Sequence, residues 1–295
     1  MSYEARDFDY ESGIWGEEIV RPSDRTFAGF RLTTLLAALP ERGKVIEVGC
    51  GAGRFLRGVA AMRPRLSVVG VDVSRTALAR AAEIAPGIDF RIRVEPSAPL
   101  PAADGEFDAA IALDVLEHVE DPAYMLGEIH RILAPGGRLH FHVPCEGDAL
   151  SLWRWIPGQA GPRGLKRRFG GHVQRFRRRD VVSLLEASGF EIQTRSYSLH
   201  LVGNVADVVA FVGILAAVDL RKAGPALTTG TLTARSARRE GDTRGFLNVL
   251  IRFVDGLIWA EAKLLSRLPS WSVHLTARKR GAVPSAPGLP RAPGE

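Results

Sequence analysis

Short apolar runs alternate with stretches of helical period along the first two thirds of the chain. KVIEV (44–48), LSVVGV (66–71), IDFRIRV (88–94), DAAIAL (108–113) and RLHFHV (138–143) read as strands, the last one behind a PGG turn at 135–137. Helical spacing of apolar residues predicts helices near 54–62, 74–84 and 122–133, and another over 24–38 behind a Ser23 or Asp24 cap. DVVSLLEASGF (180–190) reads as a helix ended by Gly189, EIQTRSY (191–197) as the next strand and WSVHLTARK (271–279) as the last. Strand and helix alternating in this way predict βαβ units: an α/β fold with a seven-stranded, mostly parallel sheet and helices on both faces.

Two segments break the rhythm. LHLVGNVADVVAFVGILAAVDL (199–220) is almost wholly apolar, and FLNVLIRFVDGLIWAEAKLL (246–265) carries apolar residues at helical spacing. A polar, basic link (221–245) joins them, so a helical hairpin is expected between strands six and seven. Residues 201–218 would give about 27 Å of helix against a hydrocarbon core of roughly 30 Å. Asn204 and Asp207 fall inside this stretch, and a central Asp costs about 3 kcal/mol on insertion. The hairpin is therefore expected to lie over the site as a lid, on a membrane surface, or in a dimer contact. The organisation that follows is an N-terminal cap segment (1–39), a core (40–198), the insertion (199–268), a last core strand (269–280) and a disordered Pro/Gly/Ala tail (281–295).

Composition narrows the classes. Two cysteines, Cys50 and Cys145, are too few for a disulfide framework, and MSYEARDFDYESG has no apolar leader. A reduced, cytoplasmic protein is expected, with association at the inner face of the membrane left open by the insertion. The net charge of +6 comes with 34 arginines against 5 lysines, a composition bias rather than a nucleic-acid signature. No zinc spacing, basic zipper or RNA-binding aromatic pattern accompanies it, so no nucleic-acid partner is expected. The charge does concentrate in RGLKRRFGGHVQRFRRR (163–179), which holds eight Lys or Arg and no acid. This run reads as a solvated face, as an anion contact for the substrate, or as a surface for anionic lipid. The neighbouring apolar insertion favours the last two.

The candidate chemistry starts at VIEVGCGAGRF (45–55), a buried strand running into the glycines Gly49, Gly51 and Gly53. A dinucleotide fingerprint wants a small residue where Arg54 stands, and no Gly-Lys-Ser/Thr follows as a phosphate loop requires. Glu47 is the sharper clue, because a carboxylate near the end of a buried strand needs a partner. The α-ammonium of S-adenosylmethionine (SAM) is such a partner, whereas a pyrophosphate would be repelled. Asp72, closing VVGVDVS, can accept from both ribose hydroxyls or cap the helix that follows.

VIEVGCGAGRF, VVGVDVS, FDAAIALDVLEHVEDP and ILAPGGRLHFHVP stand in the order and spacing of class I SAM-dependent methyltransferases. The chain resembles that family over about 40–198, and again at 271–279, nearest to the ubiquinone- and menaquinone-pathway group; GHVQRFRRRDVVSLLEASGFE is similar to that group's segment before strand six. The resemblance implies a Rossmann-like fold with an antiparallel seventh strand, and SAM as methyl donor. It also implies that Glu47, Gly49, Cys50, Gly51 and Gly53 hold the methionine end, Asp72 the ribose, Val73 the adenine, and that Leu113 and Asp114 close the site. The family often has an acid after strand three; here the region reads VEPSAPLP, so adenine recognition is expected from Ser97 or the backbone.

Methyl transfer from a sulfonium needs positioning and, for some acceptors, proton removal. His118 lies four residues from Asp114, on the same helix face, and in some quinone-pathway relatives such an acid–histidine cluster is thought to hold a divalent metal. The alternative is a histidine that only shapes the pocket wall; no metal ligand set is assigned. His140 and His142 share one face of strand five, and His172 in the basic loop is the second candidate base or acceptor contact. The expected function is methylation, on oxygen or carbon, of a small hydrophobic or anionic acceptor, including a lipid-like one, with a homodimer compatible. Its rivals are a non-catalytic SAM-fold module in a membrane-associated complex and, more weakly, an NAD(P) oxidoreductase.

Overall fold

The computed structural model describes residues 9–11, 13–159, 164–219 and 242–281, without the side chains of 214–219 and 242–247. Most of the basic link, the tail beyond Gly281 and the first eight residues lie outside the described residues.

Seven strands form one sheet: β1 (Gly43–Val48), β2 (Leu66–Asp72), β3 (Asp89–Ile92), β4 (Phe107–Leu113), β5 (Leu133–Pro144), β6 (Phe190–Ser198) and β7 (Ser272–Lys279). Their order across the sheet is β3-β2-β1-β4-β5-β7-β6. The first five strands run parallel, and β7 is antiparallel to both β5 and β6. The expected architecture is present.

Alternate side chains along the strands feed two cores. Ile46, Val48, Val71, Ala110, Leu139 and Phe141 pack with Leu126 and Ile129 of α4 (Pro122–Ile132) and with Val181 and Leu185 of α7 (Arg178–Ala187). On the other face, Val45, Val68, Ala109 and Ile111 pack with α1 (Phe27–Ala38), α2 (Arg54–Met62) and α3 (Arg75–Ile84). A third cluster of Trp153, Leu199, Phe211, Ile258 and Trp271 lies under the segment between β6 and β7. That segment holds α8 (Val202–Asp219) and α9 (Asp242–Leu265); two short helices, α5 (Leu152–Trp155) and α6 (Leu165–Gly170), precede α7.

Local chemistry sets the element ends. Ser74 caps α3 by accepting the Ala77 N–H at 3.0 Å, and Asp121 caps α4 ahead of Pro122, which suits the first helical position. Gly189 takes the left-handed conformation (φ 85°) that ends α7. Two expectations are corrected. The cap of α1 is Thr26, whose hydroxyl accepts from Gly29 at 3.0 Å, while Asp24 accepts the Arg21 N–H in a separate turn. The PGG stretch is no separate turn: β5 already begins at Leu133, and the glycines form an irregularity where pairing shifts between Phe107 and Ala109.

Candidate functional site

The ends of β1, β2, β4 and β5, together with the segment around Tyr10, Trp15 and Gly16, enclose a cavity of about 390 Å³. β1 enters it through the glycine turn. The Gly49 and Cys50 N–H groups both donate to the Val71 carbonyl, at 2.8 and 3.1 Å. Gly49 has φ 74°, and a Cβ there would stand 2.6 Å from Val115; one on Gly51 would stand 2.7 Å from the Trp15 carbonyl. The turn is therefore pressed between the Val115 side chain and the Trp15 backbone, and with positive φ at both places it favours glycine there. Gly53 leads into α2, and Cys50 lies at the cavity with its thiol pushed up by burial, a packing residue rather than a nucleophile.

Asp72 accepts from the Gly51 N–H at 2.7 Å and the Ser74 N–H at 2.9 Å, one on each carboxylate oxygen. Burial raises its carboxyl. Each oxygen keeps a lone pair for a further donor, and the cap of α3 falls to Ser74, so Asp72 is left to face the cavity. Val73 and Leu113 line the same space.

Glu47 is 2% exposed, and its Oε2 has no partner among the described residues. Desolvation pushes its carboxyl up to about 8, although the Leu56 N–H in the first turn of α2 and the cations Arg31 and Arg54 pull the other way. A buried, unpartnered carboxylate oxygen at a strand end fits the ammonium of a ligand. Arg54, which stands where a dinucleotide site needs a small residue, pairs with Glu18.

Asp114 adopts φ 57° and presents its carboxylate to the Arg31 Nη2 at 2.7 Å and the His142 Nδ1 at 2.6 Å. Burial would raise it, but Arg31 and His142 hold it well below the usual carboxylate range. A hydroxyl chain continues inward: His142 Nε2 to Ser272 Oγ at 2.7 Å, then Ser198 Oγ at 2.8 Å, then His274 Nε2 at 2.9 Å. His140 and His142 do share a face, but each is engaged by a hydroxyl of β7, His140 by Thr276 at 3.2 Å.

The expected shared helix face of Asp114 and His118 is corrected. Residues 116–118 form a 3₁₀ turn and Asp114 is left-handed, so His118 turns to other partners. Its Nδ1 lies 3.3 Å from the Gly171 carbonyl, and its ring meets His172 edge-on at 4.8 Å. Burial drives His118 down to about 3, so it is neutral. His172 places Nδ1 2.7 Å from Glu146 Oε1, and Glu146 is 1% exposed. The sequence reading missed Glu117, whose two buried oxygens have no hydrogen-bond partner among the described residues, with His118 Nε2 4.0 Å from Oε1. Donor atoms of Glu117, His118 and His172 lie within 4.8 Å of one another, a spacing that fits one divalent ion.

Ser97 does not reach the cavity; it is exposed, and Arg93 and Pro96 line the wall at that end. The basic run also divides. Lys166 turns inward, 2.8 Å from Asp207 and 4.2 Å over the Phe211 ring, whereas Arg167, Arg168, Arg177 and Arg179 are exposed. The far wall comes from the insertion, through Asp207 and Phe211 of α8 and Asp255 and Ile258 of α9. Asp255 accepts the Phe27 N–H at 2.9 Å, which pins α9 to α1. Glu261 accepts the Leu201 and Val202 N–H groups at 2.9 and 2.7 Å, which pins α8 to α9.

A family model described as a methyltransferase domain matches residues 24–195, more than half the chain. The chain belongs to the class I SAM-dependent methyltransferase family. Among curated relatives of this methyltransferase, the ubiquinone biosynthesis O-methyltransferase of Pseudomonas aeruginosa is 36% identical over 101 residues, 32% of this chain and 42% of that protein. The enzyme of the same description from Azotobacter vinelandii is 31% identical over 99 residues, 33% of this chain and 43% of that protein. The methyltransferase thus spans less than half the length of these relatives. Of solved structures, the [4+2]-cyclase SpnF matches with a TM-score of 0.54 at 24% identity, over 86% of this chain and 82% of that one. A SAM-dependent methyltransferase from Mesorhizobium loti matches at 0.51 and 22% identity, over 85% and 98%. At such identity these structures speak for the fold alone. Among the described residues no helix is long and apolar enough to cross a membrane.

Proposed function

We propose that this methyltransferase transfers the SAM methyl group to a hydroxyl of a hydrophobic small molecule, with His172 as general base. The observation that carries the reading is the His172–Glu146 pair at the cavity wall. Glu146 fixes the tautomer by accepting from Nδ1 at 2.7 Å, which leaves Nε2 to take the proton as the acceptor oxygen attacks. His118, neutral and with Nδ1 toward the Gly171 carbonyl, stands edge-on to the His172 ring at 4.8 Å and lines the cavity beside it. Phe27, Leu199, Phe211, Ile258 and Trp271 supply an apolar seat around that end. Glu47, the glycine turn and Asp72 would hold the methionine and ribose parts of SAM, and Asp114 would close the site beside them. The names of the curated relatives, quinone-pathway O-methyltransferases, agree with a hydroxylated, greasy acceptor.

The outer sides of the insertion favour a lipid-like acceptor met at a membrane surface. Leu201, Val205, Val209 and Val212 are exposed along α8 and just before it, and Val249, Phe253 and Leu257 along α9, with Arg252 and Lys263 exposed beside them. A second reading, favoured by the two unpartnered oxygens of Glu117, is that Glu117, His118 and His172 hold a divalent cation that polarises the acceptor.

The test is transfer of labelled methyl from SAM into a host extract, followed by organic–aqueous partition. Label in the organic phase is expected, with His172→Ala lowering transfer about 100-fold or more while affinity for S-adenosylhomocysteine is kept. Label confined to water, or full activity in His172→Ala, would overturn the reading. Chelation and metal add-back separate the cation from the base, and sedimentation with anionic vesicles tests the surface.

A further inference from the structure

Among the described residues, none of those that line the cavity from the loop after β3 offers a carboxylate to read the exocyclic amino group of an adenine. Strand order fixes where the adenine end lies. The glycine turn follows β1, Asp72 follows β2, and β3 is the outer neighbour of β2, so a ligand running from Glu47 past Asp72 points its base toward the end of β3. The residue that follows β3 is Arg93. Its backbone N–H donates to the Asp72 carbonyl at 2.9 Å, which ties it to the ribose position. Glu95 and Ser97 are exposed and do not line the cavity.

Arg93 is 3% exposed and lines the cavity with Val73, Pro96, Val119 and Met125. Nε donates to the Ala98 carbonyl at 2.7 Å, and among the described residues Nη1 meets only the Met125 thioether at 3.5 Å, a weak acceptor. Nη2 is buried with no partner among the described residues. A guanidinium costs much to bury with a donor unmet, so the arrangement calls for an acceptor supplied from the cavity. Adenine offers ring nitrogens as acceptors, N1 on its outer edge among them. Neighbouring Val73, Pro96 and Val119 are apolar and offer no competing side-chain acceptor.

We infer that Arg93 reads the adenine of SAM by donating from Nη2 to N1, so that the base is recognised as an acceptor rather than through its amino group. Arg93 is a specificity residue, and its role is separate from the identity of the methyl acceptor. The discrimination it imposes is distinctive. A 6-oxo (inosine-type) base carries a proton on N1 and turns donor against donor. A purine base lacking the amino group keeps N1 as an acceptor.

The experiment is calorimetric binding of S-adenosylhomocysteine, its inosine analogue and its 6-deamino purine analogue to the full-length protein. The expected result is an inosine analogue about 10- to 100-fold weaker, the range for a hydrogen bond from a charged donor, and a purine analogue within about threefold of the parent. In Arg93→Met the parent weakens about tenfold or more, and the preference over the inosine analogue collapses. Equal losses for the inosine and purine analogues would mean that the amino group is read, and the inference fails. Equal affinity for all three would mean that this edge is not read at all, and it fails as well. The wild-type series decides even where Arg93→Met does not fold.

Discussion

Glu47→Gln is the perturbation with the most calculable outcome. Burial sets the carboxyl at about 8 against an ordinary 4.5, with Arg31, Arg54 and Asp72 the charged groups that act on it. At about 1.36 kcal/mol per pH unit this difference corresponds to about 5 kcal/mol against the ionised form in the ligand-free protein. At pH 7 about 0.9 of a proton therefore sits on Glu47. A ligand ammonium docking against it favours the charged form, so S-adenosylhomocysteine should release about 0.9 proton on binding at pH 7. Its apparent Kd should fall by up to tenfold per pH unit from about pH 5.5 to 7, a window where an α-ammonium stays charged. Calorimetry in two buffers of different ionisation enthalpy measures the release directly. Stability carries the same sign. The folded value lies above the unfolded one, so the contribution is full below about 4.5 and is lost as pH rises through about 8. Glu47→Gln should abolish the proton release, flatten the pH dependence of binding and raise the ligand-free Tm relative to wild type at pH 9 but not at pH 4.5. Release below about 0.2 proton with a flat affinity would refute both the pairing and the burial argument.

Three further outcomes test the frame around that pair. Gly49→Ala forces a Cβ to 2.6 Å from Val115 at φ 74°, and should cost about 3 kcal/mol or more in urea denaturation; adding Val115→Ala should recover the steric part and leave about 1 kcal/mol of backbone strain. Arg31→Met leaves Asp114 with His142 alone and should lower stability by about 2–3 kcal/mol, toward the low end for a buried pair because Asp114 keeps access to the cavity, read as a shifted midpoint at constant m value. Asp72→Asn exchanges one acceptor oxygen for a donor, so S-adenosylhomocysteine should bind about tenfold or more weaker while Tm moves little by comparison.

What the sequence made legible was local. The glycines, Glu47 and Asp72 stand at strand ends that period and turn residues delimit, so their convergence followed once the strands were paired in parallel. What it hid depends on contacts between distant positions. Arg31 belongs to a helix that reads only as an N-terminal cap, yet it reaches His142 across a separation of 111 residues. Glu117 looks like one acid in a charged run, and only the 3₁₀ turn at 116–118 buries it next to His172. That turn also undid the pairing of Asp114 with His118, because helical spacing means nothing where the chain leaves the α conformation. Lys166 sits inside a basic run and reads as part of it; Asp207, from beyond β6, draws it inward. Ser97 was the natural polar candidate near the adenine, but the loop carries it outward while Arg93 turns in.

The antiparallel strand β7 is made last of all the strands, yet it lies between β5 and β6. Among the described residues β6 pairs with no strand but β7, so its nine residues, Phe190–Ser198, leave the ribosome with no partner waiting. β7 follows roughly eighty residues later, which at usual synthesis rates is about 4–16 s. Until then the nascent chain exposes two open edges, that of β5 and that of β6, to any passing strand. The last strand is thus a keystone set by the order of translation. A chain stopped before Ser272 should be a substrate for chaperones and proteases rather than a smaller working enzyme.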